Sequence, residues 1–400
     1  MIDVAEADSI IAQNIKAFPT VRVPLEQAFG MVLQEDLVAD RDLPPFHRVT
    51  MDGVALHFSS LNKGQRTFAV EGVQKAGSPP LALKDSQACI EVMTGAVLPE
   101  GCDCVIPVER LEKGNGRVKI KEYDGIARMQ HVHARGSDYA AASVLVPKGI
   151  RLLAPQIAVA ASVGKAKIQV SKIPRIAVVG TGDELVDLHQ KMKPYQVRLS
   201  NSYALEAALA LHGYTHVTRF HLKDDKKAMI KRFKEILAKF DVLILSGGVS
   251  MGKFDYVPGA LKAAGVEVLF HKVKQRPGKP LWFGKNKEEK PVFALPGNPV
   301  STQVCLYRYV LPYLDRAVNA QVPSQEYVSL EKAVEVQADL TCFLPVKVVA
   351  GERGRPLSAV PVVPSGSGDF VALAQSDGFI ELSANMFRFD KGATVRFFRW

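Results

Sequence analysis

The chain predicts a multidomain α/β plus β fold: a central doubly wound parallel α/β domain, an inserted small mostly-β domain, a helical linking domain and a C-terminal β domain. Three features of the text carry this. Between 174 and 323, short apolar runs alternate with helical periodicity, the pattern of a parallel sheet covered on both faces. Between 43 and 140, β-rich runs separated by Gly and Pro turns interrupt a helical pattern that resumes after 141. Beyond 324 the text is β-like again.

Residues 1–39 have helical spacing, with Ile10, Ile11, Ile15 and Phe18 on one stripe and Leu25, Ala28 and Val32 on a second. Pro44-Pro45 ends that pattern. The runs Thr67–Val70, Ala88–Met93, Cys104–Pro107 and Arg117–Ile120 then read as strands. Helical periodicity returns from Ala154 to Val163, where Pro155 suits a first turn and Gly164 a C-terminal cap. In the central domain Ile176–Val179, Val217–Phe220, Val242–Leu245 and Pro291–Leu295 read as strands. Tyr203–Leu211, Ala228–Ala238 and Val300–Leu314 read as helices, and Tyr327–Leu330, Phe343–Val349 and Thr394–Phe398 as C-terminal strands. The domains expected are 1–42 with 141–173 (helical), 43–140 (inserted, β-rich), 174–323 (α/β) and 324–400 (C-terminal β).

Apolar residues at 47% and charged residues at 23% of 400 residues are ordinary for globular chains with sizeable cores. No run approaches the length of a membrane span, and the acidic start Met1–Asp8 lacks the order of a signal peptide, so a cytoplasmic protein without membrane contact is expected. The five cysteines have no paired CxxC, which indicates neither a disulfide framework nor a structural zinc site; Cys102-Asp103-Cys104 reads as a strand leaving a turn. A net charge of +10 favours anionic ligands, but the basic residues are dispersed and not interleaved with aromatics, so no nucleic-acid platform is expected.

Three turns directly follow apolar runs: Gly180-Thr181-Gly182-Asp183-Glu184, Ser246-Gly247-Gly248-Val249-Ser250-Met251-Gly252 and Pro296-Gly297-Asn298-Pro299. In a parallel sheet the carboxyl ends of strands share one edge, so these turns predict one crevice. The glycine loop has the composition of a backbone nest for an oxyanion, although it matches neither a Walker loop nor a dinucleotide fingerprint. Asp183, Glu184, Asp224, Asp225 and Asp255 all follow strand-like runs, and hard oxygen ligands around a phosphate suit magnesium. Each of these acids taken singly is also readable as a helix N-cap, and for Asp224 or Asp225 the two readings weigh the same. Arg276-Pro277-Gly278-Lys279-Pro280 presents two cations on a rigid turn, which suits a phosphate or tetrahedral oxyanion.

Taken in order, Met51-Asp52-Gly53, Met93-Thr94-Gly95-Ala96 with Pro99-Glu100-Gly101, Thr181-Gly182-Asp183-Glu184-Leu185, Ser246-Gly247-Gly248-Val249-Ser250, Pro277-Gly278-Lys279-Pro280 and Leu295-Pro296-Gly297-Asn298-Pro299-Val300-Ser301 closely resemble the molybdopterin molybdotransferases. These are molybdenum insertases of the MoeA type, to which the E domain of gephyrin also belongs. The resemblance covers nearly the whole chain. It implies a four-domain homodimer, with 1–42 and 141–173 as the linking and dimerisation domain, that takes molybdopterin-AMP and molybdate, releases AMP and yields molybdenum cofactor. A molybdopterin adenylyltransferase is the implied substrate donor, and molybdoenzyme apoproteins or chaperones the acceptors.

Carried over by position, the resemblance assigns Asp183, Glu184, Asp225 and Asp255 to the Mg2+ or other divalent-metal site and to the pterin-phosphate crevice with Gly247, Gly248, Ser250, Pro296 and Pro299. Lys279 and Ser367 fall at the oxyanion end with Arg276, while Asp52, Thr94 and Asp138 belong to positions supplied by the partner subunit. Asp255, Glu184, Asp225, Lys279, Asp52 and Asp138 are the implied catalytic set. The chain departs from the family at His47-Arg48-Val49-Thr50, at His133-Ala134-Arg135, at Arg276 (usually lysine) and at Phe343-Leu344-Pro345-Val346, where an arginine is common. Arg276 and Lys347 are expected to replace the missing cations. The alternatives are a catalytically altered paralogue, a binding or scaffold protein or a tungstate insertase using the same crevice, or an enzyme that shares only the α/β domain, such as a pterin adenylyltransferase.

Overall fold

The computed structural model describes residues 1–121, 125–249, 255–337, 339–349, 357–366 and 368–400. Its contacts form two compact units. One comprises Met1–Glu35, Gly149–Ala154 and Lys167–Trp400, the other Asp36–Lys148 and Pro155–Ala166.

The first unit is built on a six-stranded sheet in the order Val217–Leu222, Ile176–Thr181, Val242–Ser246, Pro291–Leu295, Trp282–Asn286, Val266–His271. Its first four strands are mutually parallel. Trp282–Asn286 runs antiparallel to both of its neighbours, a departure from the all-parallel sheet expected of the sequence, and Val266–His271 beyond it points the same way as the first four. Period-two alternation sends Ile176 and Val178 to one face, against Leu205 and Leu209 of the Ser200–Leu211 helix. It sends Ala177 and Val179 to the other, against Met229, Phe233 and Ile236 of the Lys226–Lys239 helix. Both faces being covered, the inner strands are apolar at nearly every position, and that is why they were legible. After Pro291–Leu295 the chain continues into a helical stretch made of Pro299–Cys305, a π-helical turn Leu306–Val310 and Leu311–Ala317.

The same unit holds the C-terminal sheet, in which Thr341–Val349, Ser358–Pro361, Glu326–Leu330, Thr394–Arg399 and Gly378–Leu382 pair in sequence around a ring, closed by Thr341–Val349 on Gly378–Leu382. Val328, Leu330, Val346, Ile380 and Phe397 fill it. The short strand Gln275–Arg276 adds in parallel to its edge, Arg276 opposite Cys342. Strand pairing thus attaches the cation turn to the C-terminal sheet. At the N-terminus the helical expectation holds only for Val4–Gln13. Thr20–Pro24 is a strand, antiparallel to Lys167–Ser171; Val21 and Val23 find an extended partner remote in sequence, which overrides the local helical spacing.

In the second unit a six-stranded sheet runs Cys104–Pro107, Gly53–Leu56, Cys89–Val92, Thr67–Gln74, Arg117–Ile120, Leu111–Gly114. Val54, Leu56, Phe68 and Ile106 pack on one side; Ala55, Ile90, Val92 and Val105 pack on the other. Cys89, Cys102 and Cys104 are buried among them, and burial pushes each thiol up to about 12. They act as small core residues. Among the described residues no helix is long and apolar enough to cross a membrane.

Candidate functional site

The carboxyl ends of Ile176–Thr181, Val242–Ser246 and Pro291–Leu295 open on a common cleft of about 680 Å³. Gly180–Gly182, Glu184, Ser246–Val249, Pro296–Pro299, Asp224 and Asp255 form its wall, joined by Gly368 and Phe370 of the C-terminal region. The three turns expected to converge do so, because parallel strands deliver their ends to one edge.

Backbone geometry explains the glycine loop. Gly247 and Gly248 have φ of +101° and +67°, and a Cβ on Gly247 would lie 2.7 Å from the Thr181 carbonyl oxygen. Polar side chains brace the loops from behind. His221 Nε2 donates to the Gly182 carbonyl at 2.9 Å and His271 Nε2 to the Val249 carbonyl at 3.1 Å. Asn201 Nδ2 donates to Ser246 Oγ at 2.9 Å and to the Gly297 carbonyl at 2.7 Å, tying two of the three turns together. Asn201 was not singled out in the sequence; the available signal was Ser200-Asn201-Ser202 opening a helix directly after a strand.

The acids divide. Glu184 and Asp255 stand on the cleft wall. Asp183 is exposed and accepts from the Asp224 N–H at 3.2 Å. Asp225 caps the Lys226–Lys239 helix by accepting from the Ala228 N–H at 3.0 Å, and it is the neighbouring Asp224 that lines the cleft. Burial raises the Asp224 carboxyl above its usual range, and the negative charge of Asp183, then of Glu184 and Asp255, raises it further. Such mutual repulsion is what a bound cation relieves. Among the described residues no three His, Cys, Asp or Glu side chains form a ready-made metal cage.

Arg276 and Lys279 are not on that wall. They line a second cleft of about 770 Å³, with Lys332, Ser301, Phe343–Pro345 and Gly366. Pro280 and Asn298 belong to both walls. Lys347 is exposed on Thr341–Val349 and stands outside the described walls of both clefts. Ser250 and Ser367 lie outside the described residues.

In the other unit Asp52 Oδ1 accepts from both the N–H and the Oγ1 of Thr94, each at 2.7 Å, which holds its carboxyl below the usual range. Asp138 pairs with His133 Nε2 at 2.8 Å, and Arg48 Nη2 meets His133 Nδ1 at 3.1 Å. Because Arg48 can only donate, Nδ1 accepts and the ring proton sits on Nε2, facing Asp138.

Three family models match the chain: the MoeA N-terminal region (domain I and II) over residues 2–164, a probable molybdopterin binding domain over 177–316, and the MoeA C-terminal region (domain IV) over 328–400. A protein of Synechocystis named molybdopterin molybdenumtransferase is 40% identical over 401 residues, covering 100% of both chains. One of Staphylococcus aureus with the same name is 30% identical over 98% of this chain and 94% of its own. A solved molybdopterin biosynthesis MoeA protein from Pyrococcus horikosii superposes with a TM-score of 0.78 at 29% identity, covering 100% of this chain and 99% of that one.

Proposed function

This chain belongs to the molybdopterin molybdenumtransferase family, and from that premise we propose that it inserts molybdate into adenylylated molybdopterin, releasing AMP and forming molybdenum cofactor. The observation that carries the reading is the pairing of two clefts that share the wall residues Pro280 and Asn298. One is built from strand-end turns and carboxylates, the other carries Arg276 and Lys279.

The first cleft suits the pterin phosphate and its adenylate, with loop glycines that allow close backbone approach. Magnesium fits the donor set, since one or two carboxylates and substrate phosphates suffice to hold it and no closed cage is required. Asp183, Glu184, Asp224 and Asp255 are its candidate ligands; Asp225 is committed to its helix cap. When bound, the ion neutralises the phosphate oxygens from which AMP departs. Arg276 and Lys279 suit molybdate in the second cleft, where fixed positive charge favours the dianion as dithiolene sulfur displaces its oxygens. The pterin dithiolene carries the metal, and this chain contributes orientation and charge.

A homodimer in which Asp52, Thr94 and Asp138 act on the partner's cleft is part of the proposal, as are an adenylyltransferase that supplies the substrate and molybdoenzymes that receive the product. A scaffold role without turnover is not favoured, because the full-length relatives carry a transferase name. The test is AMP release and cofactor formation from adenylylated molybdopterin with magnesium, with and without molybdate. Molybdate-dependent release with cofactor appearing is expected. Tight pterin binding with no molybdate-dependent release would overturn the reading.

A further inference from the structure

We propose that Gln275 is a positioning residue that seats the Arg276–Lys279 turn on the helix leading away from the first cleft, and so sets the oxyanion geometry of the second. The inference rests on the reading that these two cations hold molybdate.

Gln275 is 1% exposed, with its side chain folded beneath its own turn. Its Nε2 donates to the Gly278 carbonyl at 3.1 Å and to Cys305 Sγ at 3.6 Å, while its Oε1 accepts from the hydroxyl of Tyr309, also 1% exposed. The amide thereby uses both of its donors and its carbonyl within the protein. Gly278 has φ of +95°, and a Cβ there would stand 2.6 Å from Gln275 Nε2 and 2.7 Å from Cys305 Sγ, so the turn rests directly on these two side chains. Cys305 closes the Pro299–Cys305 helix, which starts at the first cleft, and Tyr309 lies on the π-helical turn Leu306–Val310 that follows.

A buried, fully paired amide adds little net stability over an apolar side chain of the same length. What it adds is a fixed relative position for the segments it joins. Here those segments are the cation turn, held on its other side by pairing of Gln275 and Arg276 with Thr341 and Cys342, and the helix that starts beside Asn298. Without the amide the turn keeps its strand pairing and loses its seat, and molybdate binding must then order the cations.

The experiment is steady-state AMP release from adenylylated molybdopterin with magnesium, titrated with molybdate, for wild type, Arg276→Ala and the double variant Gln275→Met with Tyr309→Phe. The double variant replaces both members of the Gln275–Tyr309 bond by apolar groups of similar shape, and the Gly278 carbonyl keeps the Leu281 N–H at 3.1 Å, which spares the fold. Its molybdate KM is expected to rise about tenfold, the loss of roughly one hydrogen bond. Its kcat and its KM for adenylylated molybdopterin should stay within about twofold of wild type, a split that a general structural defect does not produce.

A wild-type molybdate KM in the double variant, beside a raised one in Arg276→Ala, would overturn the positioning role and leave the cation reading standing. A wild-type value in Arg276→Ala as well would remove the cation reading, and this inference with it. A fall in kcat alone would also overturn the positioning role. If the double variant does not fold, Tyr309→Phe alone decides: a molybdate KM raised about threefold supports the tie, an unchanged one refutes it.

Discussion

Replacing Gly248 by alanine probes whether the glycine loop is shaped by its packing as well as by its backbone. Gly248 has φ of +67°, and a Cβ there would lie 2.6 Å from Val257 Cγ2 and 2.9 Å from Thr181 Oγ1. Val257 and Thr181 are 0% and 3% exposed, so neither can swing into solvent. Gly265 is the control in the same domain, with φ of +89° and no atom within 4 Å of its Cβ position. Both substitutions incur the left-handed backbone cost of about 1 kcal/mol. Only Gly248→Ala adds overpacking, about 1–3 kcal/mol. Expected losses are therefore about 1 kcal/mol for Gly265→Ala and about 2–4 kcal/mol for Gly248→Ala. Urea unfolding followed by the fluorescence of Trp282, buried in the central sheet, measures both. The KM for adenylylated molybdopterin should rise in Gly248→Ala alone, because Gly248 is a cleft wall and Gly265 is not. Equal stability losses, or an unchanged KM in Gly248→Ala, would refute the reasoning.

Asp225→Ala should lose about 1 kcal/mol with its helix cap and keep magnesium-dependent turnover, whereas Asp224→Asn should keep the fold and lose most of that dependence. The folded pKa of Asp224 is raised, so its contribution to stability is fully present below the unfolded value and is lost as pH rises through the folded one. Asp224→Asn should thus melt slightly higher than wild type at neutral pH without magnesium and gain less from added magnesium; the reverse order of melting would contradict the assignment. The pKa of Asp52 is depressed by Thr94, so its contribution is present above the unfolded value and lost as pH falls through the folded one. Thr94→Val keeps the backbone donor and removes the hydroxyl, so the Asp52 carboxyl should titrate at a higher pH by NMR, and an unmoved midpoint would remove the hydroxyl's role. Finally, with thiols pushed up to about 12, Cys89, Cys102 and Cys104 should resist alkylation at pH 8 until the protein is unfolded; rapid labelling of the native protein would contradict their burial.

Four of the six strands of the central sheet are legible in the sequence; of these Ile176–Thr181, Val242–Ser246 and Pro291–Leu295 are buried on both faces and bounded by a turn, which leaves an apolar run between Gly, Pro or Asp. The other two are not legible. Val266–His271 carries exposed Glu267 and Val268, and Trp282–Asn286 ends in Gly-Lys-Asn, so neither stands out as an apolar run, and only the path of the chain sets Trp282–Asn286 antiparallel to both of its neighbours. Thr20–Pro24 was read as helix because Leu25, Ala28 and Val32 mimic a helical stripe, while its strand partner Lys167–Ser171 is far away in sequence. The Asp224-Asp225 pair shows the same limit at one site. Either residue can cap a helix, and which one does depends on where the first turn closes.

By itself the sequence determined the local features: apolar runs between turns, glycines where the backbone must take positive φ, and carboxylates and cations clustered behind strand ends. Tertiary structure alone decided that Asp224 and not Asp225 faces the cleft, that Arg276 and Lys279 line a second cleft instead of the first, and that Gln275 reaches Tyr309 beneath the turn. The physical reason is range. Turn chemistry and strand periodicity act between neighbours in the chain, whereas a cleft wall and a buried hydrogen-bond network exist only where remote segments pack together.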